Sequence, residues 1–446
     1  MYNMKKSYII KLGTILLLTV IIGSCKKWID PKINENPDAV IDVPFNLLLP
    51  AIEGNIGYIA GGMDLRGING MWAQYVSGQA RQSATIGKNY IITEADVNNL
   101  WDSFYNGILM DLYTYIQKTG DDNPQARGVG KVLMAFCMGS VTDLWGDVPY
   151  SEAFQGNGNL KPKYDTQESI YATINTLLTD AMTDLGTDNT ANLIPLGSGS
   201  NDLIYNGNKT KWIAAAHSLR ARYANHLSKK GTVDYNAVLA DCAAGISSNG
   251  NDMEIEFGTT ESNANPLYQF DVQRGDVAPS ASFATFAAGD PRLAVFTDGD
   301  FGSFYGSISS PVPLMTYVET KFIESEANLM AASPSQTAAN SAYDEAVTAS
   351  LAKFGVSDAA WLTNNTSGVL GDRNLQNIIE AKYIALFMQA EGYNDFRRTG
   401  FPVLNPTAGT AVPVRYPYAT DERLYNSQNV PTGITINLPL WWMTSK

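Results

Sequence analysis

Two stretches of this chain combine the residue types that recognise a polyhydroxylated ring. One holds Trp72, Tyr75, Gln79, Arg81 and Tyr90; the other runs through Tyr268, Gln269, Arg274, Phe304 and Tyr305. Flat aromatic faces stack on the apolar C–H surface of a sugar, while planar amide and guanidinium groups make paired hydrogen bonds to neighbouring hydroxyls. Neither stretch has helical periodicity, and loops carried on a rigid frame are the usual place for binding residues. Each of these residues, taken singly, also fits plain packing. Trp101 and Trp212 fall on apolar helix faces and read as core, whereas Trp441-Trp442 suits either role.

Covalent chemistry finds less support. A Ser-His-Asp device needs a histidine held by a carboxylate beside a nucleophile. The two histidines, His217 and His226, share one helical stretch and carry no such signature. No HExxH, P-loop or Rossmann fingerprint is present. A glycosidase needs two suitably spaced carboxylates, and Asp143 with Asp147 flanks Trp145. Gly146 and Pro149, however, put Asp147 in the turn that ends a helix, where capping the backbone accounts for it. Glu319, Glu324 and Glu326 read as a solvated helix face. Asp298-Gly299-Asp300-Phe301-Gly302 resembles half a calcium loop without its closing glutamate, and reads as a turn. Arg397-Arg398, just past a helix end, is expected to pair with Asp395 and the last carbonyls. Cys137 and Cys242 lie on apolar faces without CxxC spacing and read as buried thiols. The expectation is therefore no catalytic residue, no cofactor and no metal.

Bulk properties narrow the classes further. Of 446 residues, 45% are hydrophobic and only 17% charged, enough for a large core. The net charge is -13, and since residues 1–24 hold three lysines and no acid, the remainder carries -16. That balance excludes nucleic acid as a partner, because phosphate binding rests on cationic side chains. It equally disfavours electrostatic adhesion to anionic lipid.

Lys5-Lys6 and Lys11 precede the apolar run Leu12 to Ile22, which Gly23-Ser24-Cys25 follows. A basic start, a short apolar segment and small residues before a break form a secretory signal peptide. The run is shorter than the ~20 residues that span a bilayer. Ile22-Gly23-Ser24-Cys25 resembles a bacterial lipobox, making 1–24 a signal peptide, Cys25 the lipid attachment site and 25–45 a tether. Acyl chains would then be the only membrane contact, each buried CH2 contributing ~0.8 kcal/mol.

These features need elements to carry them, and the pattern is helical. Val97, Leu100, Trp101, Phe104, Ile108, Leu112 and Tyr115 recur at the 3.6-residue period, as do Val129, Val132, Leu133, Phe136, Val141 and Leu144. Asp121-Asp122-Asn123-Pro124 is the turn between them. Further helices are expected from an Asp165 cap, around Trp212 to Leu227, Tyr235 to Ile246, Leu314 to Leu329, Tyr343 to Phe354 and Ile379 to Ala390. Residues 46–446 thus read as one mainly α unit, a tetratricopeptide-like scaffold of hairpins at about 95–250 and 314–392 with minor β. Ser77 to Tyr90 reads as a polar loop, 251–313 as a loop-rich insert and 399–446 as a wrapping tail with short strands.

Cys25, the Trp145-Gly146-Asp147-Val148-Pro149-Tyr150 run and Phe396-Arg397-Arg398-Thr399-Gly400 together resemble the SusD/RagB family of Bacteroidetes outer-membrane nutrient-binding lipoproteins. Asn34-x-Asn36-Pro37, Asp290-Pro291-Arg292-Leu293 and Arg415-Tyr416-Pro417-Tyr418 with Glu422 and Asn426 add to the likeness. The resemblance implies a helical scaffold with an irregular binding region, oligosaccharide or peptide ligands, and a SusC-like TonB-dependent transporter as partner. It also implies lipid anchoring in the outer membrane, facing the exterior. Cys25 is followed by Lys26-Lys27-Trp28, not by the acidic run common in surface-exported relatives. Two other classes stay open: a helical-repeat adaptor without a small ligand, and a surface glycosidase.

Overall fold

The computed structural model describes residues 43–194, 196 and 201–445. The signal peptide, Cys25 and nearly all of the tether lie outside these residues. The remainder, Phe45 to Lys446, forms one unit whose secondary structure is mainly helical with four short strands among the described residues.

Its centre is helix Pro124–Trp145, which is apolar or small around almost its whole circumference. Val129, Val132, Leu133, Ala135, Cys137, Met138, Val141 and Trp145 are all fully buried, as a helix enclosed on every side requires. Pro124 occupies its first turn, where a missing N–H removes no intrahelical bond. Gly146 ends it at φ +86°, a conformation that strains any residue with a Cβ. The preceding rod runs through Asn98–Asp102, a π-helical segment Ser103–Leu109 and Met110–Thr119, with the expected turn at 120–123 joining the two.

Helices Gln167–Leu185, Lys209–His226 and Tyr235–Ala244 follow, each packed on the one before. Close approach is possible where side chains are small: a Cβ on Gly139 would lie 2.2 Å from the Tyr223 hydroxyl. A second group pairs Tyr317–Met330 with Gln336–Lys353, against which Leu375–Ala385 packs. Ala390–Thr399 completes it. The expected hairpin scaffold is present.

Several local expectations are corrected. Thr166, not Asp165, caps Gln167–Leu185, accepting from the Ser169 N–H at 3.2 Å. Asp165 instead accepts from the Tyr150 and Ser151 amides at 2.8 and 2.7 Å, fixing the loop after the central helix. Ser77 to Tyr90 is not a loop: strand β1 (Val76–Gly78) leads into helix Arg81–Asn89. The insert is built from strands β2 (Met253–Ile255) and β3 (Val277–Pro279) and helices Pro266–Arg274, Ala281–Phe286 and Leu293–Phe296. Leu314 lies in strand β4 (Val312–Met315), and the helix begins after it. β1 pairs antiparallel with β3, and β2 with β4.

The tail carries no strand among its described residues, where short strands were expected. It returns to the central helix: the Trp145 indole donates to the Pro417 carbonyl at 2.8 Å, and the Tyr416 amide to Leu144 at 2.8 Å. Trp442 is fully buried beside His226.

Glu319 and Glu326 are likewise not a solvated face. Both are buried, Glu319 gripped by Arg222 at 2.6 and 2.5 Å, Glu326 by Arg398. Arg398 also meets Asp395 at 2.7 Å, as the sequence suggested. An ion left alone at this depth costs several kcal/mol, so each charge needs its partner.

Candidate ligand-binding surface

The β1–β3 ladder joins the two stretches singled out in the sequence. Val76 faces Pro279 and Gly78 faces Val277, and the Gln79 amide extends the pairing to the Asp276 carbonyl at 2.6 Å. Beyond it Arg81 holds the Asp276 carboxylate at 2.5 and 2.8 Å, and Arg274 approaches the same group at 3.2 Å. Arg81 also donates to the Arg274 carbonyl at 3.0 Å, so the two segments are cross-linked by charge.

Four of the expected contact residues are nevertheless core. Trp72 is fully buried among Tyr393 and Tyr416, its indole donating to the Ile86 carbonyl at 3.4 Å. Tyr75 stacks on Tyr383 at 4.3 Å and donates to the Tyr383 carbonyl at 2.8 Å. The Tyr90 hydroxyl accepts from the Thr407 amide at 3.1 Å, and Tyr305 donates to Phe387 at 2.6 Å. The physical reason is shared: an apolar ring gains roughly 2–3 kcal/mol on burial, and each polar tip meets a protein partner. Phe304 is half-buried against Tyr305 and Phe354. The Gln269 amide is occupied by the Glu261 carbonyl at 2.7 Å. Gln79, Arg81 and Arg274 remain exposed, with Tyr268 half-buried on helix Pro266–Arg274.

At the other end of the sheet lies a cleft of about 440 Å³ that the sequence did not reveal. Phe286, 39% exposed, forms one wall and sits edge-on to Tyr383 at 5.3 Å. Val403, Leu404 and Asn405 from the tail form the opposite wall, Val403 being 73% exposed. Ser282 and Thr285 add hydroxyls. Gln74 ties the walls together: its side-chain amide donates to the Asn405 carbonyl, and its own carbonyl accepts from Ser280. Gln74 adopts φ +61°, a left-handed conformation fixed by these contacts. An apolar platform bordered by amides and hydroxyls is the arrangement that stacking and hydrogen bonding of a sugar demand.

The catalytic alternatives gain no geometry. Asp147 caps the Gln167 amide at 2.8 Å, whereas Asp143 accepts from Tyr171 at 2.5 Å. His217 pairs with Asp241 at 2.7 Å. His226 is buried, with Nε2 2.8 Å from Glu391 and Nδ1 2.9 Å from the Tyr171 hydroxyl. Burial alone would lower its pKa; Glu391 and Asp143 outweigh that and raise it to about 9. An imidazolium held by two carboxylates is a poor base for a nucleophile. The adjoining cavity, lined by Arg222, Glu391 and Asn394, is about 60 Å³, room for water but not for a sugar. The Asp298–Gly302 segment is a turn closed by a Thr297–Phe301 bridge. No cluster of metal-ligating side chains occurs among the described residues, and no described helix is long and apolar enough to cross a membrane.

A family model described as starch-binding, associating with outer membrane, matches residues 44–306 and 302–419. Among solved structures, a SusD/RagB family protein from Bacteroides thetaiotaomicron is similar with a TM-score of 0.77 and 22% identity, over 91% of this chain and 100% of that one. A chitin-binding SusD homolog from Flavobacterium johnsoniae has a TM-score of 0.75 and 20% identity, covering 90% and 99%. A Bacteroidetes SusD-like protein has a TM-score of 0.76 and 18% identity, covering 90% and 100%. No curated protein matches the chain. Matched over most of its length by a model whose description is binding at the outer membrane, the chain belongs to the SusD-like family.

Proposed function

We propose that the protein is a non-enzymatic binding lipoprotein, anchored through Cys25 in the outer membrane and facing the exterior. It captures an oligosaccharide and passes it to a SusC-like TonB-dependent transporter. The observation that carries this reading is the amphipathic cleft between Phe286 and Val403–Asn405, in a chain of a family described as starch-binding. The ligand surface continues along the β1–β3 sheet to Gln79, Arg81, Arg274 and Tyr268. That sheet is three residues long, a reach of roughly 10 Å. Pre-formed walls limit the entropy lost on binding, and an open cleft leaves affinity modest enough for release.

The test is calorimetry on the protein truncated before residue 43, with malto-oligosaccharides and chito-oligosaccharides as probes. Two structural neighbours are named as chitin-binding, which recommends the second series. Saturable binding of either series supports the reading; no heat from any member of a broad glycan panel sinks it. Co-purification of a large outer-membrane β-barrel with the full-length lipoprotein checks the transporter.

A further inference from the structure

A second cleft, of about 310 Å³, lies beyond Phe286, which lines both. Its outer wall is Trp361, on the short helix Ala359–Asn364. Of the tryptophans in the described residues, only Trp361 and Trp441 are not buried. Backbone hydrogen bonds hold Trp361 in place, and a cation faces its ring. Asp358 accepts from its amide at 2.8 Å, Asn365 donates to its carbonyl at 2.8 Å, and the Arg292 guanidinium lies 5.6 Å from the ring centroid. Arg292 is itself buried and clamped by Asp290 at 2.9 and 2.6 Å and by Ser350 at 2.7 Å. The indole N–H of Trp361 has no hydrogen-bond partner among the described residues.

The floor supplies a second guanidinium, which unlike Arg292 has no counter-ion among the described residues. Arg373 is 9% exposed, lies 5.5 Å from the Tyr343 ring centroid and donates to the Gly371 and Leu370 carbonyls, with no carboxylate in ion-pair range among the described residues. Glu380 stands in the same cleft, half-buried, its carboxylate held by Gln376 at 2.8 Å. With Arg292 neutralised by Asp290, Arg373 and Glu380 balance, so the cleft suits neither a polyanion nor a polycation. An aromatic wall, one free indole donor, a guanidinium and a carboxylate acceptor match a neutral, hydroxyl-rich ring.

We infer that this cleft is a second saccharide subsite, engaged only by oligosaccharides long enough to cross Phe286 from the first. The inference rests on the glycan reading proposed above and deepens it to chain length: the preferred ligand is an extended neutral oligosaccharide, not a mono- or disaccharide. Linking two weak sites by one chain raises overall affinity without any new contact at either site.

Calorimetry with a length series, from maltose to maltoheptaose and from chitobiose to chitohexaose, reads this directly. Affinity is expected to step upward at the length that reaches the second cleft. Trp361→Ala abolishes the step, weakening the long oligomer about tenfold while leaving the short one unchanged. Because Trp361 also covers the apolar cluster around Phe322 and Tyr343, Glu380→Ala serves as the second variant; its side chain is not part of that cluster. It too is expected to weaken only the long oligomer. Length-independent affinity, or variants that leave the long oligomer unaffected, would overturn the second subsite and spare the first. Absence of binding by every oligomer would overturn both.

Discussion

His226 Nε2 lies 2.8 Å from Glu391 Oε1, so a buried imidazole and a buried carboxylate form an ion pair inside the helical scaffold. Asp143 at 3.4 Å and the Tyr171 hydroxyl at 2.9 Å face the other ring nitrogen; Lys382 and Arg222 approach Glu391 at 3.8 and 3.9 Å. The folded pKa of about 9 lies above the ordinary 6.5. A raised pKa means that the folded state keeps a proton the unfolded chain releases. The stability this contributes, ~3 kcal/mol, is complete below pH 6.5 and lost as pH rises through about 9. Thermal unfolding of the truncated protein should therefore weaken between these values. His226→Gln should be less stable at pH 6 and flatter across the window.

The Arg398–Glu326 pair is enclosed with Asp395 on its other side. Glu326→Ala removes the bidentate partner and leaves the guanidinium with Asp395 and the Ser228 hydroxyl. Breaking a buried pair in this way costs about 3–5 kcal/mol. Urea unfolding should show a stability loss of that size as a lower midpoint at unchanged slope.

Tyr75 is predicted to act through packing. Its hydroxyl meets the Tyr383 carbonyl, and its ring lies so near Gly392 that an added Cβ would fall 1.9 Å from the Tyr75 oxygen. Tyr75→Phe should cost ~1 kcal/mol, the worth of one net hydrogen bond. Gly392→Ala should cost more, since neither neighbour can retreat in a close-packed core. In both variants glycan affinity should follow the folded fraction and nothing else.

Phe286→Ala should do the reverse. Its ring is partly exposed and walls the first cleft, so its removal should weaken oligosaccharide binding at least tenfold, with an unfolding free energy within about 1 kcal/mol of the parent protein. Calorimetry and denaturant unfolding on one preparation would separate the two effects. A large stability loss with unchanged affinity would place this ring among the packing residues instead.

The helical hairpins were legible because a buried helix face leaves a 3.6-residue trace that needs no knowledge of its neighbour. The apolar residues Val129, Val132, Leu133, Phe136, Val141 and Leu144 and the core assignments of Trp101 and Trp212 follow from that trace, and all are buried. Trp72 and Tyr75 sit where no period exists, so nothing in the sequence separated an inward ring from an outward one. Glu319 and Glu326 misled for another reason: their partners Arg222 and Arg398 lie 97 and 72 residues away. The first cleft was invisible for the same cause, being assembled from Gln74, Phe286, Tyr383 and Asn405. The two stretches are joined through the β1–β3 ladder, with Trp72, Tyr75 and Tyr305 buried and not displayed in an exposed pocket.

The return of residues 416–442 to the central helix has a further consequence. An open array of helix pairs unravels from its ends, one pair at a time. Here the last segment is bolted onto the middle, with Trp145 bonded to Pro417 across 272 residues and Trp442 seated beside His226. Among the described residues the chain's end is thereby tied to the middle of the helical scaffold, and the amides of Pro124–Trp145 should exchange with solvent only when this whole unit opens.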